Sequence, residues 1–349
     1  MKRIHGILGV FFLLIGFVAC SRDVVDNPYA KESTIRVDSC SVLFQAAPST
    51  GHVKVVAPHG ITKVESEHSW CTATVSGDVV TVKVEENAGA LGRSSVLMIY
   101  SGDDFTKVTV QQTGIIFAME GGNAMAFNDA KRSFSLALKH NVDVKLTSMA
   151  DWITCLLKDG EVSIDLTKNE TGHMRQGYIK YQAGSTIVDS IKITQCDFDK
   201  DIVGMYHLVF YKDANKTQKG AVNVKITKGH MEFPGLFTEK LNVDFDSETA
   251  TLSIASCQYL GEMQSFYLYT YYESKKYWTV SNSKAVSLAP FSYSEKEGTT
   301  APLTGIINGE EMQAMVIGAF KKKTTPPKSA NLAGSALDLF YPYLVKITE

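Results

Sequence analysis

The sequence predicts an all-β protein, with two similar β-sandwiches in tandem and a larger C-terminal β-domain. Three observations support this prediction. Short segments rich in Val and Thr recur along the chain and are bounded by Gly, Asp, Asn or Ser. A pattern of Trp, a Gly turn, Asn and Arg is written twice, about 82 residues apart. No convincing long amphipathic helical pattern interrupts the strands.

The first sandwich is predicted over residues 34–115. Its strand-like segments are 52–56, 81–85, 95–100 and 105–112. Ser-Gly-Asp triplets begin at Ser76 and Ser101, between such segments, where Gly supplies the positive φ of a tight hairpin turn. Residues 34–115 are therefore predicted to form a series of antiparallel hairpins.

The second sandwich, predicted over residues 116–198, follows the same plan. Its strand-like segments are 133–138, 142–147, 162–167, 177–182 and 188–194, with Asp159-Gly160 and Ala183-Gly184 at turns. Six or seven short strands in about 80 residues are typical of an immunoglobulin-like β-sandwich.

The repeated residues are interpreted as structural. Trp70 and Trp152 begin strands, where a large apolar side chain anchors the core of a small domain, although a platform for stacking a sugar ring is the alternative. Asn87 and Asn169 are expected to accept a left-handed backbone at the bend after a strand. Arg93 and Arg175 are expected to brace that loop. These residues all lie at equivalent spacings in the two copies.

The N-terminus has the pattern of an exported lipoprotein. Lys2 and Arg3 precede an apolar run over residues 7–19, which is too short for a permanent transmembrane helix. "FVAC" at residues 17–20 resembles a bacterial lipobox, so we expect residues 1–19 to be a signal peptide and Cys20 to be lipidated; a plain signal peptide is the alternative. Residues 20–33 are a polar tether.

The net charge and the cysteines bear on which partners, metals and disulfides the protein has. Removal of residues 1–19 leaves 33 basic and 37 acidic residues, a balance of −4 that argues against a nucleic-acid partner. The spacing of the cysteines fits no zinc site. Disulfides Cys40–Cys71 and Cys155–Cys196 would each lie within one repeat, but isolated buried thiols explain the same residues.

The first repeat resembles a known family. Its Trp70, its "VEEN", its Arg93 and its closing "VTVQQTG" are similar to the BACON domain, the Bacteroidetes-associated carbohydrate-binding often N-terminal family. The resemblance is strong over 34–115 and weaker over 116–197, where Cys-Asp replaces the closing Thr-Gly. It implies an immunoglobulin-like sandwich and a glycan-utilisation context, and it identifies no sugar-contacting residue.

Residues 201–349 contain about eight further strand-like segments and are predicted to form a closed sheet or a larger sandwich. The opening "GMYHLVFY" resembles the start of calycin or lipocalin-like barrels, with Tyr206 at the Trp position. A cluster of aromatic residues in this domain is the candidate glycan-binding surface. Tyr267, Tyr269 and Tyr271 share one face of a predicted strand. Tyr277 and Trp278 begin the predicted partner strand. The alternative is that these rings fill the core.

The sequence lacks the nucleophile elbow, the HExxH helix, the phosphate loop and the dinucleotide fingerprint, and its adjacent carboxylates would point to opposite faces of a strand. We therefore expect no enzymatic activity, no cofactor and no metal. Two hypotheses remain. The first is a lipid-anchored glycan-binding accessory protein of the bacterial outer membrane, exposed at the cell surface, with facing toward the periplasm as the alternative. The second is a structural or adhesin-type lipoprotein that binds an envelope protein and no glycan.

Overall fold

The computed structural model describes residues 33–347. The predicted signal peptide, Cys20 and nearly all of the tether therefore lie outside the described residues. The described chain divides into two compact units. The first comprises residues 33–118, 139–144 and 183–187, and the second comprises 119–138, 145–182 and 188–347.

The first repeat is a two-sheet sandwich of eight strands. The strands are β1 (Arg36–Cys40), β2 (Leu43–Phe44), β3 (Ser49–Val56), β4 (Lys63–Ser66), β5 (Cys71–Ser76), β6 (Val79–Val84), β7 (Arg93–Ser101) and β8 (Asp104–Gln112). One sheet has the order β1-β3-β6-β5 and the other β2-β8-β7-β4. All pairs are antiparallel except β2 with β8.

Alternation along the strands builds the core of this sandwich. Val53 and Val55 of β3 are buried while their neighbours are exposed, and Leu97 and Ile99 of β7 are buried in the facing sheet. Side chains from both sheets belong to one core cluster, with Trp70 packed against its margin. Period-two patterning is therefore sufficient to specify which face of each strand is inside.

The second repeat has the same topology. Its strands are β9 (Phe117–Met119), β10 (Ala124–Phe127), β11 (Arg132–His140), β12 (Val144–Ser148), β13 (Ile153–Lys158), β14 (Glu161–Leu166), β15 (Arg175–Ala183) and β16 (Ile187–Gln195). The sheet orders are β10-β16-β15-β12 and β13-β14-β11-β9. Adding eight to each strand number of the first repeat reproduces these orders, and the β10–β16 pair is parallel as β2–β8 is.

The C-terminal region is one curled sheet of thirteen strands, shaped as half a barrel. Its strands are β17 (Gly204–Tyr211), β18 (Lys219–Thr227), β19 (His230–Glu232), β20 (Leu241–Asp246), β21 (Thr251–Ala255), β22 (Tyr259–Met263), β23 (Phe266–Ser274), β24 (Val286–Pro290), β25 (Ser292–Ser294), β26 (Gly298–Pro302), β27 (Ile306–Ile307), β28 (Glu310–Phe320) and β29 (Leu332–Lys346). The main path runs β22-β23-β28-β29-β17-β18-β19-β20-β21-β24. Two short helical turns, Phe198–Ile202 and Ser329–Asn331, precede β17 and β29.

Side chains fill the concave side of this sheet. Tyr206, at the position where a lipocalin has Trp, is fully buried and donates a hydrogen bond to the carbonyl of Ile202 at 2.6 Å. The interior includes Leu208, Phe210, Val224, Ile226, Phe233, Leu252, Ile254, Leu268, Tyr272, Met315 and Ile317. The curved sheet thus surrounds a packed core.

The second sandwich and the curled sheet share that core within the second unit. Ala126, Met174 and Cys196 of the sandwich belong to the same cluster of buried side chains as the sheet interior. Polar contacts reinforce the junction, because the Lys346 ammonium donates to the carbonyl of Asp201 at 2.8 Å and the rings of His173 and Tyr293 stack 3.6 Å apart. The sandwich is therefore a firm support for the C-terminal sheet.

Of the two readings of the cysteines that the sequence left open, the structure has the isolated thiols. Cys71, Cys155 and Cys196 are free thiols, so neither Cys40–Cys71 nor Cys155–Cys196 forms. Burial raises the pKa of the Cys71 and Cys155 thiols, and raises that of Cys196 to about 12. These residues act as small apolar side chains, the alternative that the sequence left open.

Candidate functional site

In each repeat an arginine guanidinium lies over the ring of the tryptophan. The guanidinium carbon of Arg93 lies 4.2 Å from the centroid of a Trp70 ring, and that of Arg175 lies 4.4 Å from Trp152. Both indoles are partly buried. A ring face occupied by a guanidinium is not available to stack on a sugar, so the structural interpretation of these tryptophans fits the geometry.

The repeated arginines also tie strand ends together. Arg93 donates to the carbonyls of Glu85 and Glu86 at 2.9 and 3.0 Å and to the Gln112 side-chain oxygen at 2.9 Å. Arg175 makes the corresponding bonds to Thr167 and Gln195. Sequence reasoning missed the two glutamines, although each closes its repeat, in "VTVQQ" and in "IKITQ".

The repeated asparagines work through their side chains. Asn87 is buried and its amide nitrogen donates to the carbonyls of Leu91 and Thr113, both at 2.9 Å. Asn169 is buried too, and its amide donates to His173 at 2.8 Å. Neither has a positive φ, so the expected left-handed backbone is wrong. The amide instead satisfies carbonyls of a loop that has no strand partner, which is why Asn is needed.

The predicted tyrosine face on β23 exists, but it is covered. Tyr267, Tyr269 and Tyr271 point to one side while Leu268 and Tyr272 point into the sheet interior. However, Tyr269 is only 1% exposed and Tyr271 only 4%.

Other side chains from distant parts of the chain pack on this tyrosine face. Tyr269 lies between the rings of Tyr259 and Phe320, at centroid distances of 5.2 and 5.4 Å, and Val280 and Leu332 belong to the same cluster. The prediction that Tyr269 and Tyr271 offer open rings to a ligand is therefore wrong, because segments distant in sequence cover them.

Tyr277 and Trp278 are open to solvent. They follow β23 in a turn where the Ser274 amide donates to the carbonyl of Tyr277 at 2.8 Å, and Trp278 forms an isolated antiparallel bridge with Glu273. Tyr277 is 42% exposed and Trp278 is 59% exposed. The expected partner strand is thus reduced to one bridge, which holds the indole on the outer surface of the curled sheet.

Carboxylates and a hydroxyl lie close to the exposed indole. Burial, followed by the Asp338 carboxylate, raises the pKa of Glu273, while a hydrogen bond with the Tyr271 hydroxyl opposes that shift. On the other side of the turn the Lys276 ammonium lies 2.6 Å from a carboxylate oxygen of Glu310. The surface around Trp278 therefore combines an apolar ring with hydrogen-bonding groups of both signs.

The described residues, 33–347, contain no cluster of three or more His, Cys, Asp or Glu side chains that could hold a metal ion. The helices within this range are too short or too polar to cross a membrane. Cys20, the predicted lipidation site, is outside the range.

Residues 61–113 match the family BACON, described as "Putative binding domain, N-terminal". The match lies within the first sandwich and is consistent with the resemblance seen in the sequence. No curated protein matches the sequence.

Solved structures with similar folds are distant. An endo-fucoidan hydrolase of glycoside hydrolase family 107 is 13% identical, with 49% of this chain and 29% of that chain covered and a TM-score of 0.25. A Bacteroides ovatus GH5 xyloglucanase in complex with a heptasaccharide is 18% identical over 28% of this chain and 22% of that chain, with a TM-score of 0.21. The I9–I11 tandem of titin is 9% identical over 81% and 95%, with a TM-score of 0.31. This chain thus spans less than a third of either hydrolase, and these likenesses carry no argument about activity.

Proposed function

We propose that this protein is a non-catalytic, glycan-binding accessory protein of the bacterial cell envelope, and that Trp278 and Tyr277 form its sugar-contacting surface. The observation that carries the proposal is the exposure of two aromatic side chains that are consecutive in the sequence, with Trp278 held on the outer side of the curled sheet by its bridge to Glu273. An exposed indole gives up the free energy of burial, which for a large apolar side chain is on the order of 2 kcal/mol. A ligand that covers it recovers that energy.

A saccharide suits this surface chemically. The CH-rich face of a sugar ring stacks on an indole, and its hydroxyl groups both donate and accept hydrogen bonds. Glu273 offers carboxylate oxygens, and the Lys276–Glu310 pair offers a donor and an acceptor. Glu273 is the bridge partner of Trp278, and Lys276 lies two residues before it in the chain.

The sandwiches serve as spacers in this proposal. The BACON match over residues 61–113 supports a glycan-related context, while the tryptophans of both repeats are engaged by arginines. Recognition is therefore assigned to the C-terminal domain, and the shared core with the second sandwich keeps that domain firmly supported.

Lipid anchoring at Cys20 and display on the outer-membrane surface complete the proposal. They are supported by the apolar run over residues 7–19 and by the lipobox-like "FVAC". Metabolic labelling with palmitate should label the wild type and leave Cys20→Ser unlabelled. Protease added to intact cells should digest the protein, whereas protection in intact cells would place it on the periplasmic side.

The binding test is affinity electrophoresis of the chain from residue 20 onward, with Cys20→Ser, in gels containing xyloglucan, galactomannan, arabinoxylan, mixed-linkage glucan or polygalacturonate. At least one polymer should retard the wild type, and Trp278→Ala should migrate as it does in a gel without polymer. Tyr277→Ala should reduce the retardation, while its matched control Tyr178→Ala, which is also 42% exposed but lies on the second sandwich, should not. Migration unaffected by every polymer would reject the proposal.

A second candidate function is binding of an envelope protein, which a different surface favours. Val286 and Leu288 of β24 and Ile306 of β27 are exposed aliphatic side chains. Leu288 forms a bridge with Thr304, so Val286 and Ile306 come opposite each other on the same outer face. An aliphatic patch without aromatic rings suits a protein contact better than a sugar. Crosslinking in intact cells should yield one stoichiometric partner that Leu288→Asp abolishes, if this function is present.

A further inference from the structure

An open cleft lies on the outer surface of the curled sheet, where β20 approaches β22. It encloses about 500 Å³. Among the side chains that line it are His230, Thr238, Lys240, Asn242, Gln258 and Tyr259. The buried Leu241 and Leu260 belong to the packed interior behind it, so the cleft is closed at the back.

Backbone contacts fix the floor of this cleft. The side-chain amide of Gln258 accepts a hydrogen bond from the Asn242 backbone amide at 2.7 Å and donates to the Asn242 carbonyl at 2.9 Å. The backbone amide of Glu239 donates to the carbonyl of Leu260 at 3.3 Å. The Gln258 side chain therefore pairs with the backbone of Asn242 as a strand residue would, and it joins β20 to the segment entering β22. Contacts within the protein alone thus form the cleft.

Two polar side chains in the cleft are not used by the fold. Within residues 33–347, no hydrogen bond engages the Thr238 hydroxyl or the Asn242 side-chain amide, and both residues are exposed. Gly261 makes room for Thr238. With a φ of +112°, an added Cβ at this glycine would lie 2.2 Å from the Thr238 hydroxyl oxygen. The close approach holds the hydroxyl at the rim of the cleft.

Charges of both signs complete the lining. The Tyr259 ring has the Lys323 ammonium 4.0 Å from its centroid. Lys240 is paired with Glu232 at 2.8 Å, and Glu239 adds a second carboxylate. Since cations and anions offset each other, the cleft favours a neutral ligand rich in hydroxyl groups over a strongly acidic one.

The cleft and Trp278 lie along the same edge of β23. Tyr259 pairs with Tyr269, and Trp278 bridges to Glu273, four residues further along that strand. Paired residues share a face, and four residues of strand span about 13 Å. Both surfaces therefore open on the outer face at a separation that a single oligosaccharide chain can reach.

We propose that this cleft is a second saccharide-binding site, specific for neutral sugars, that acts with Trp278 on one polysaccharide chain. The proposal rests on the proposed glycan-binding function and extends it. Two weak sites on one rigid sheet raise the affinity for a polymer, because binding at one site makes binding at the other intramolecular. Thr238 and Asn242 supply the hydrogen bonds of the second site.

The test compares wild type, Trp278→Ala and the double variant Thr238→Val with Asn242→Ala, in affinity electrophoresis against the neutral polymers named above and polygalacturonate. Thr238 and Asn242 contribute no side-chain hydrogen bonds to the fold, so the double variant should keep the wild-type circular dichroism spectrum and Tm. Its affinity for the bound neutral polymer should fall at least about tenfold. Thr74→Val, an exposed threonine of the first sandwich, is the matched control and should leave affinity unchanged.

Other outcomes distinguish the two sites. If the double variant binds polymer as the wild type does while Trp278→Ala loses binding, the second site is overturned and the Trp278 site stands. If the double variant loses binding while Trp278→Ala keeps it, the cleft is a saccharide site and the assignment of Trp278 falls. Preference for polygalacturonate over every neutral polymer would overturn the proposed specificity.

Discussion

The guanidinium of Arg93 lies against the ring of Trp70, with 4.2 Å between the guanidinium carbon and the ring centroid. The second repeat makes the same contact at 4.4 Å. In each case the arginine also bonds to backbone carbonyls at the end of a neighbouring strand. One residue thus joins the two sheets of a sandwich and covers its tryptophan, and both repeats keep this arrangement.

The bracing role of Arg93 predicts a loss of stability on truncation. Arg93→Ala removes a cation–π contact and three hydrogen bonds, so the free energy of unfolding of the first sandwich should fall by about 2 kcal/mol or more. Urea denaturation followed by tryptophan fluorescence measures this. Arg36→Ala, an exposed arginine of β1, is the control, and equal effects of the two substitutions would contradict the bracing role.

Two buried tyrosines on opposite faces of β23 should respond differently to loss of the hydroxyl group. Within the described residues the Tyr269 hydroxyl has no partner in hydrogen-bonding geometry, whereas the Tyr272 hydroxyl donates to the carbonyl of Ile254 at 2.7 Å. Tyr269→Phe should therefore leave Tm unchanged or raise it, and Tyr272→Phe should cost about 1 kcal/mol. Calorimetry on both variants measures these changes. A larger loss of stability for Tyr269→Phe than for Tyr272→Phe would mean that the Tyr269 hydroxyl is hydrogen-bonded.

The stability contribution of Glu273 should depend on pH. Burial, and then Asp338, raise the pKa of this carboxyl in the folded state, so the folded protein favours the protonated form. The stability that Glu273 contributes below its unfolded-state pKa is lost as the pH rises through its folded-state pKa. Glu273→Gln should match the wild type in Tm near about pH 4 and exceed it at about pH 8.

An exposed glutamate provides the control for that experiment. Glu297→Gln should show the same Tm difference from wild type at both pH values, because Glu297 lies in an exposed turn. If the Glu273→Gln difference were also independent of pH, the fold would not raise the pKa of the Glu273 carboxyl.

The buried thiols predict insensitivity to reduction. Cys71, Cys196 and Cys257 are buried, and burial raises the pKa of each thiol. In a chain with Cys20→Ser, dithiothreitol should not change Tm, and these three thiols should react with a thiol reagent only after unfolding. A Tm that falls on reduction would instead favour the alternative that the sequence left open, a disulfide within a repeat.

The sequence is sufficient for the parts of this fold that depend on local patterning. Alternating Val and Thr place Val53 and Val55 inside, and the recurrence of Trp and Arg 82 residues apart marks two sandwiches of one topology. Period-two reasoning also separates the faces of β23 correctly.

What covers a face depends on segments far away in the chain. Tyr269 is closed off by Phe320, about 50 residues later, and Leu332 packs on the same cluster. The cleft at Tyr259 likewise depends on Gln258 meeting Asn242, and the brace at Arg93 on Gln112 of the adjacent strand. Such contacts follow from register and curvature, which single-sequence patterns do not carry.

The most direct test of the central claim uses the indole N–H signals of the three tryptophans in a two-dimensional ¹H–¹⁵N NMR spectrum. The signal missing from Trp278→Ala identifies that residue. Titration with cellohexaose, xylohexaose, mannohexaose and laminarihexaose should, for at least one of them, shift the Trp278 signal in a saturable way while the Trp70 and Trp152 signals stay in place. A saccharide that shifts Trp70 or Trp152 and leaves Trp278 unmoved, or a Trp278 signal that none of these sugars shifts, would contradict the account.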